Sequence, residues 1–186
     1  MKPWPVAWYS QWQVFRQDDY TSRGCGIVAL RSIMEFWKPE LVHVSFDELF
    51  AQGVARDAYL RGIGWKHPGL VELARHYGLA GHNADWAAQS RTPRTREESL
   101  DLLIAELARG PIIASVWTRF NPVTKTGHLV VVTGYDEGMV LLNDPAARTE
   151  ETGRLAMTRE RFLDAFRQRY ICVYLPKKVE NISKSG

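Results

Sequence analysis

Arg23-Gly24-Cys25-Gly26 leads directly into a run of helical periodicity, and this junction constrains the chain more than any other stretch. Ile27, Leu30, Ile33, Met34 and Trp37 recur three and four apart, the stripe of a helix packed along one face. Pro39 stops that helix, because the residue before a proline is pushed out of the helical region. Cys25 therefore falls at or near a helix N-terminus, where unpaired N–H groups and the macrodipole favour an anion. A thiol in that position is biased toward thiolate, the form that attacks a carbonyl carbon. The flanking glycines remove Cβ atoms that would hinder a substrate backbone approaching the sulfur. The same stretch also suits a small buried cysteine with no chemistry, so the decision rests on what lies downstream.

Composition narrows the classes. The 186 residues suit one domain, and 45% hydrophobic residues with seven tryptophans can fill a core. Lys and Arg number 24 against 21 Asp and Glu, a formal charge of +3, of which the segment from Lys177 onward contributes +2. A body so near neutrality carries no nucleic-acid footprint. Arg91, Arg94 and Arg96 read as a solvated surface turn. Cys25 and Cys172, far apart and each in an apolar context, suggest neither a disulfide framework nor a metal site, and no cofactor or metal is expected. His43, His67 and His82 fit no ligand spacing with a carboxylate or cysteine and read as surface residues. No apolar run approaches the ~18 residues of a membrane span, and Met1-Lys2-Pro3-Trp4-Pro5 lacks a signal-peptide core. As given, the chain is expected to be cytoplasmic.

Taken in order, residues 4–12 read as an aromatic extended lead-in and 13–24 as an irregular loop. Ser45 with Glu48 forms a capping box that starts a helix running to about Val54. A glycine-rich loop, 61–65, follows. Pro68 then opens a helix that Gly78 terminates, with His76 as a structural residue in its last turn. Thr95 caps a helix from Arg96 to Arg109, and Gly110-Pro111 breaks it. Strands are expected at 112–117, 128–133, 139–143 and 170–175, with a Thr158-capped helix over 159–168. The layout is α+β, an N-terminal helical part packed on a C-terminal antiparallel sheet. Residues 1–176 are read as a single domain and 177–186 as a polar, disordered tail.

His128 opens one of these strands and Asp144 follows the end of the next. A three-residue hairpin loop, Asp136-Glu137-Gly138, would pair Tyr135 with Met139 and set Val130 opposite Asp144. His128 is then the diagonal neighbour of Asp144 on the same face. A carboxylate there holds one imidazole nitrogen and leaves the other for a nucleophile. A two-residue loop shifts the register by one and turns the two side chains to opposite faces, unless a bulge compensates. Trp65 and Trp117 read as core residues, with a substrate groove as the alternative.

These pieces resemble the papain-like cysteine peptidases of bacteria, in particular the branch that includes the double-glycine leader peptidases of bacteriocin exporters. The matching segments are Tyr9-Ser10-Gln11-Trp12, Gly24-Cys25-Gly26, residues 69–78, Gly110-Pro-Ile-Ile113, residues 127–136 and Asn143-Asp-Pro145. The resemblance implies a papain-like fold, with Cys25 as nucleophile, His128 as general base and Asp144 as its orienter. It also implies an upstream glutamine that stabilises the oxyanion. Gln11 is preferred for its sequence context, with Gln17 and Gln13 as alternatives. The substrate implied is a peptide or peptide-like molecule. The reaction implied is thiol hydrolysis of a peptide or isopeptide bond. The alternatives are acyl transfer to an amine or thiol, and an inactive peptide-binding module. With no transporter or membrane segment in view, leader processing coupled to export is not expected.

Overall fold

The computed structural model describes residues 2–87 and 91–176. The lead-in, without regular structure, ends in a helical turn, α1 (Gln11–Val14), capped by Ser10, and a second short helix, α2 (Asp18–Thr21), follows. The region read as an irregular loop thus holds two helical turns. The helix α3 (Cys25–Trp37) starts at the cysteine, and Pro39 opens a short 3₁₀ segment after it, as the sequence demands. Ser45 accepts from the Glu48 N–H to start α4 (Phe46–Ala55). The glycine-rich stretch is a small hairpin, β1 (Tyr59–Leu60) and β2 (Gly64–Trp65), with Gly62 and Gly64 at φ values of +78° and +120°. Next come α5 (His67–His76), β3 (Ala80–Asp85), α6 (Arg96–Glu106) and β4 (Ile112–Trp117). The chain continues through β5 (Gly127–Asp136), β6 (Met139–Asn143), α7 (Glu150–Gly153), β7 (Arg154–Thr158), α8 (Arg159–Ala165) and β8 (Phe166–Tyr174). The expected tail, 177–186, lies outside the described residues.

Among the described residues, six strands form one antiparallel sheet in the order β3-β8-β4-β5-β6-β7. The α+β expectation holds, with two corrections. Strands β3 and β7 were not anticipated, and α6 and α8 end earlier than their apolar patterns suggest. One face of the sheet, through Ile113, Leu129, Val131, Ile171 and Val173, packs on α3, α4 and α5. The other, through Ala114, Val130 and Val132, packs on Leu100 and Leu103 of α6 and Phe162 of α8. The alternation of strand side chains feeds both clusters, so the sheet is covered on both sides.

The β5–β6 hairpin corrects the expected turn. Its loop is two residues, Glu137-Gly138, both left-handed at φ values of +46° and +80°, and Asp136 pairs with Met139. That register alone would separate His128 and Asp144. A bulge at Thr133 inserts one residue into β5, and below it Val131 faces Asn143, the register first expected. The bulge is anchored, since the Thr133 carbonyl accepts from the Trp4 N–H at 2.8 Å and its hydroxyl donates to Leu141 O at 3.2 Å.

Arg31 ties the helical layer to the lead-in. Its side chain is buried in α3, where Nε donates to Val44 O at 3.0 Å and Nη1 to Glu35 Oε2 at 2.8 Å. The same Glu35 oxygen accepts from the Tyr9 hydroxyl at 2.8 Å. Removing one partner of a buried pair leaves the other groups unsatisfied. Arg31→Ala is expected to lower stability by about 3 kcal/mol, read as a shifted urea midpoint at unchanged m-value.

Candidate active site

Cys25 is the first residue of α3, so its backbone N–H is among those without an intrahelical acceptor. The turn before it is held by Trp65, whose indole N–H donates to Arg23 O at 2.7 Å. The same indole packs on Gly26, where a Cβ would lie 2.6 Å from Trp65 Cδ1. Glycine at 26 is thus a close-approach residue that makes room for Trp65, and Gly24 likewise makes room for Phe15, so the flanking glycines serve packing rather than the substrate approach expected of them. Trp65 is largely buried, as a core residue, and also lines the cavity at Cys25.

The Cys25 and His128 side chains line the same cavity and interact, each shifting the other's ionisation. His128 Nε2 lies 2.6 Å from Asp144 Oδ1, and both groups are shielded from solvent. With Nε2 on the carboxylate, Nδ1 is the nitrogen left for the sulfur. Asp144 is held in turn, because Oδ1 accepts from the Ala146 N–H at 2.8 Å.

The lead-in clamps the turn that carries Asp144. Trp8 Nε1 donates to Asp144 O at 2.9 Å, Gln11 N to Pro145 O at 2.8 Å, Trp12 Nε1 to Ala146 O at 2.7 Å, and Ser10 Oγ to Ala147 O at 2.6 Å. Four neighbouring residues thereby satisfy four successive carbonyls of an irregular segment. The Tyr-Ser-Gln-Trp motif fixes the Asp-Pro turn and delivers Gln11 to the same place. Gln11 is buried, and its Nε2 donates to Thr21 O at 2.7 Å, in the turn that leads to Cys25. One amide proton is used in that bond and a second remains. Its Oε1 is buried without a hydrogen-bond partner. Gln13 and Gln17 are exposed, Gln13 bonding outward to Arg148 O.

Electrostatics couple the three groups. Burial opposes ionisation of Cys25, yet His128, with backbone groups of Leu129 and Gly26, brings the thiol below its ordinary value. Burial likewise opposes charge on His128, but Asp144 and Cys25 outweigh it and raise the imidazole well above its usual range. Asp144 is lowered, its burial overcome by His128 and the Ala146 N–H. Both shifts favour the thiolate–imidazolium form, and the two titrations belong to the pair. Asp144→Asn removes the negative charge that raises His128. The alkaline limb of kcat/KM is expected to move to lower pH, with turnover falling by about 100-fold or more, as read from a pH–rate profile.

Other sequence readings need amendment. His43 is exposed as expected, but His67 is half-buried in the cavity wall, where burial and then Arg169 lower its pKa to about 4. His82 is also half-buried. It pairs across the strands with Cys172, and these two side chains and Glu106 bring ligand-type atoms within 4.8 Å of one another. Spacing missed this group because its members come from β3, α6 and β8. Cys172 is buried as expected, its thiol pushed up to about 12 by burial and Glu106, so at neutral pH it is no competing nucleophile. Arg167, which lines the same cavity as His128 and lies against Gly127, is a residue that sequence reasoning overlooked.

The family model of the Peptidase C39 like family matches residues 4–171. The chain belongs to that family. It is a cysteine peptidase-like hydrolase with a papain-like fold. Similar solved structures include a C39-like protein from Bacillus anthracis, 18% identical with a TM-score of 0.62, the match covering 93% of this chain and 96% of that one. Another is a double glycine motif protease from an AMS/PCAT transporter in complex with the leader peptide, at 17% identity and TM-score 0.59, covering 94% of each chain. A third is the peptidase domain of Streptococcus ComA, a bifunctional ABC transporter of a quorum-sensing pathway, at 19% identity and TM-score 0.57, covering 83% of this chain and 93% of that one. No curated protein matches in sequence. Among the described residues of this C39-like chain, no helix is long and apolar enough to cross a membrane.

Proposed function

We propose that the chain hydrolyses a peptide or isopeptide bond through an acyl-enzyme on Cys25. The observation that carries this reading is the coupled chain from Cys25 through His128 to Asp144, with 2.6 Å between the imidazole and the carboxylate. The Cys25 thiolate attacks the carbonyl carbon, and the oxyanion is received by the Cys25 backbone N–H and the free amide proton of Gln11. The His128 imidazolium gives its proton to the leaving amine as the C–N bond breaks, and a thioester remains. Neutral His128 then takes a proton from water, hydroxide attacks the thioester, and the thiolate leaves to reform the ion pair. Asp144 fixes the imidazole tautomer and stabilises its charged form. A related protease binds a leader peptide, which supports a peptide as the substrate class here.

The test is intact-mass spectrometry of the enzyme quenched in acid during turnover of a peptide library. A thioester adduct on wild type that is absent from Cys25→Ala supports the reading. Turnover that survives in Cys25→Ala overturns it.

A further inference from the structure

The groove beside the thiol has an electrostatic character that the catalytic steps do not use. A cavity of about 380 Å³ is lined by Cys25, His128 and Arg167 together. It continues into a second recess of about 610 Å³, which shares Arg167, His67 and Gly127. Among the described residues the only carboxylate lining either recess is Asp85, and it is ion-paired to Arg169 at 3.0 Å. Arg23 and Lys66 on the same walls have partners in Asp19 and Asp57. Arg167 has no ion pair among the described residues, although it is half-buried.

Its position is built. The guanidinium lies over the Trp117 ring at 4.5 Å, a contact that helps to hold it in place. It also covers Gly127, where a Cβ would stand 2.0 Å from Nη1, so any larger residue before His128 would displace it. A planar fork, partly desolvated and held one residue from the imidazole, has unspent donors for a carboxylate. Lys125, close to the same tryptophan, adds positive charge at the rim.

We propose that Arg167 receives a carboxylate of the substrate, close to the scissile bond, so that the preferred substrates are peptides acidic or carboxylate-terminated at that position. The inference rests on the peptidase reading for the placement of the scissile bond, but the carboxylate site itself does not. The carboxylate is either an Asp or Glu side chain or a free chain terminus, since the fork recognises both alike.

The experiment walks one glutamate, or its isostere glutamine, through an otherwise neutral fluorescent peptide. A parallel set ends at each position as free acid or amide. Binding is measured to Cys25→Ala and kcat/KM on wild type. One position is expected to favour Glu over Gln, or acid over amide, by ~10- to 100-fold. Preference within the internal set assigns a side chain, and preference confined to the truncated set assigns the terminus. In Arg167→Gln the preference should fall within ~3-fold, and in Arg167→Glu it should turn toward lysine at that position. Arg167→Lys, which keeps the charge over Trp117 but loses the fork, should retain part of it. Absence of any carboxylate preference, or one that survives in Arg167→Gln, overturns the proposal. Because binding is scored on Cys25→Ala, a carboxylate preference without turnover by wild type would remove the peptidase reading alone.

Discussion

Replacing His128 with alanine is expected to move the apparent pKa of Cys25 from below the ~8.5 of a free thiol to above it. Burial is the largest influence on this sulfur and by itself disfavours the thiolate, whereas the imidazole supplies the principal compensation. With the ring gone, burial remains and the compensation does not. The measurement is the rate of iodoacetamide alkylation of each cysteine from pH 4 to 9, resolved by peptide mass spectrometry. In wild type Cys25 should react readily at neutral pH, while Cys172, pushed up to about 12, stays inert and serves as an internal control. Turnover should fall by about 10⁴-fold or more, because the variant loses both the ion pair and the proton donor to the leaving group. A Cys25 that alkylates with the same pH dependence in both proteins would mean that His128 does not control the thiol. The inactive peptide-binding module would then be the better account.

Gln11→Ala is expected to lower kcat by ~100- to 1000-fold, the usual cost of one oxyanion donor, with a much smaller change in KM. The reason is that, in the role proposed for it, the amide's remaining proton meets charge that develops only in the transition state. Gln13→Ala and Gln17→Ala should change kcat by less than about 3-fold, as exposed residues away from such a site generally do. The three alanine variants form one experiment. Activity that survives in Gln11→Ala and is lost in Gln17→Ala would transfer the role to Gln17. The Thr21 carbonyl also loses its donor in Gln11→Ala, so a thermal melt should accompany the kinetics to separate lost folding from lost catalysis.

The division between local and tertiary control can be followed residue by residue. Helix starts were legible because capping is local: Ser45 with Glu48, Thr95 with Glu98 and Thr158 all accept the N–H groups their positions predict. The central strands β4, β5 and β6 were legible from apolar runs that need cover on both faces. Besides the small β1–β2 hairpin, two strands of the six-stranded sheet were missed, and these, β3 and β7, are its outer strands. Ala-Gly-His-Asn-Ala-Asp and Arg-Leu-Ala-Met-Thr have little strand propensity, and each is extended because its one neighbour, β8 or β6, offers a ladder.

The same division runs through the site. By itself the sequence determined that a cysteine would head a buried helix, and that histidine and aspartate would come from consecutive strands. Short-range pattern, glycine placement and proline are enough for that. Whether the last two could meet depended on a one-residue register, which the two-residue turn spoils and the Thr133 bulge restores. Sequence context favours Gln11; its burial, which sets it apart from Gln13 and Gln17, accompanies four bonds between the lead-in and the 144–147 turn across the whole chain. Arg167 left no mark in the sequence, since what sets it apart is that the nearby Asp85 is ion-paired to Arg169 instead, and that Trp117 and Gly127 lie against it. Those are facts about neighbours in space, and only the packed sheet supplies them.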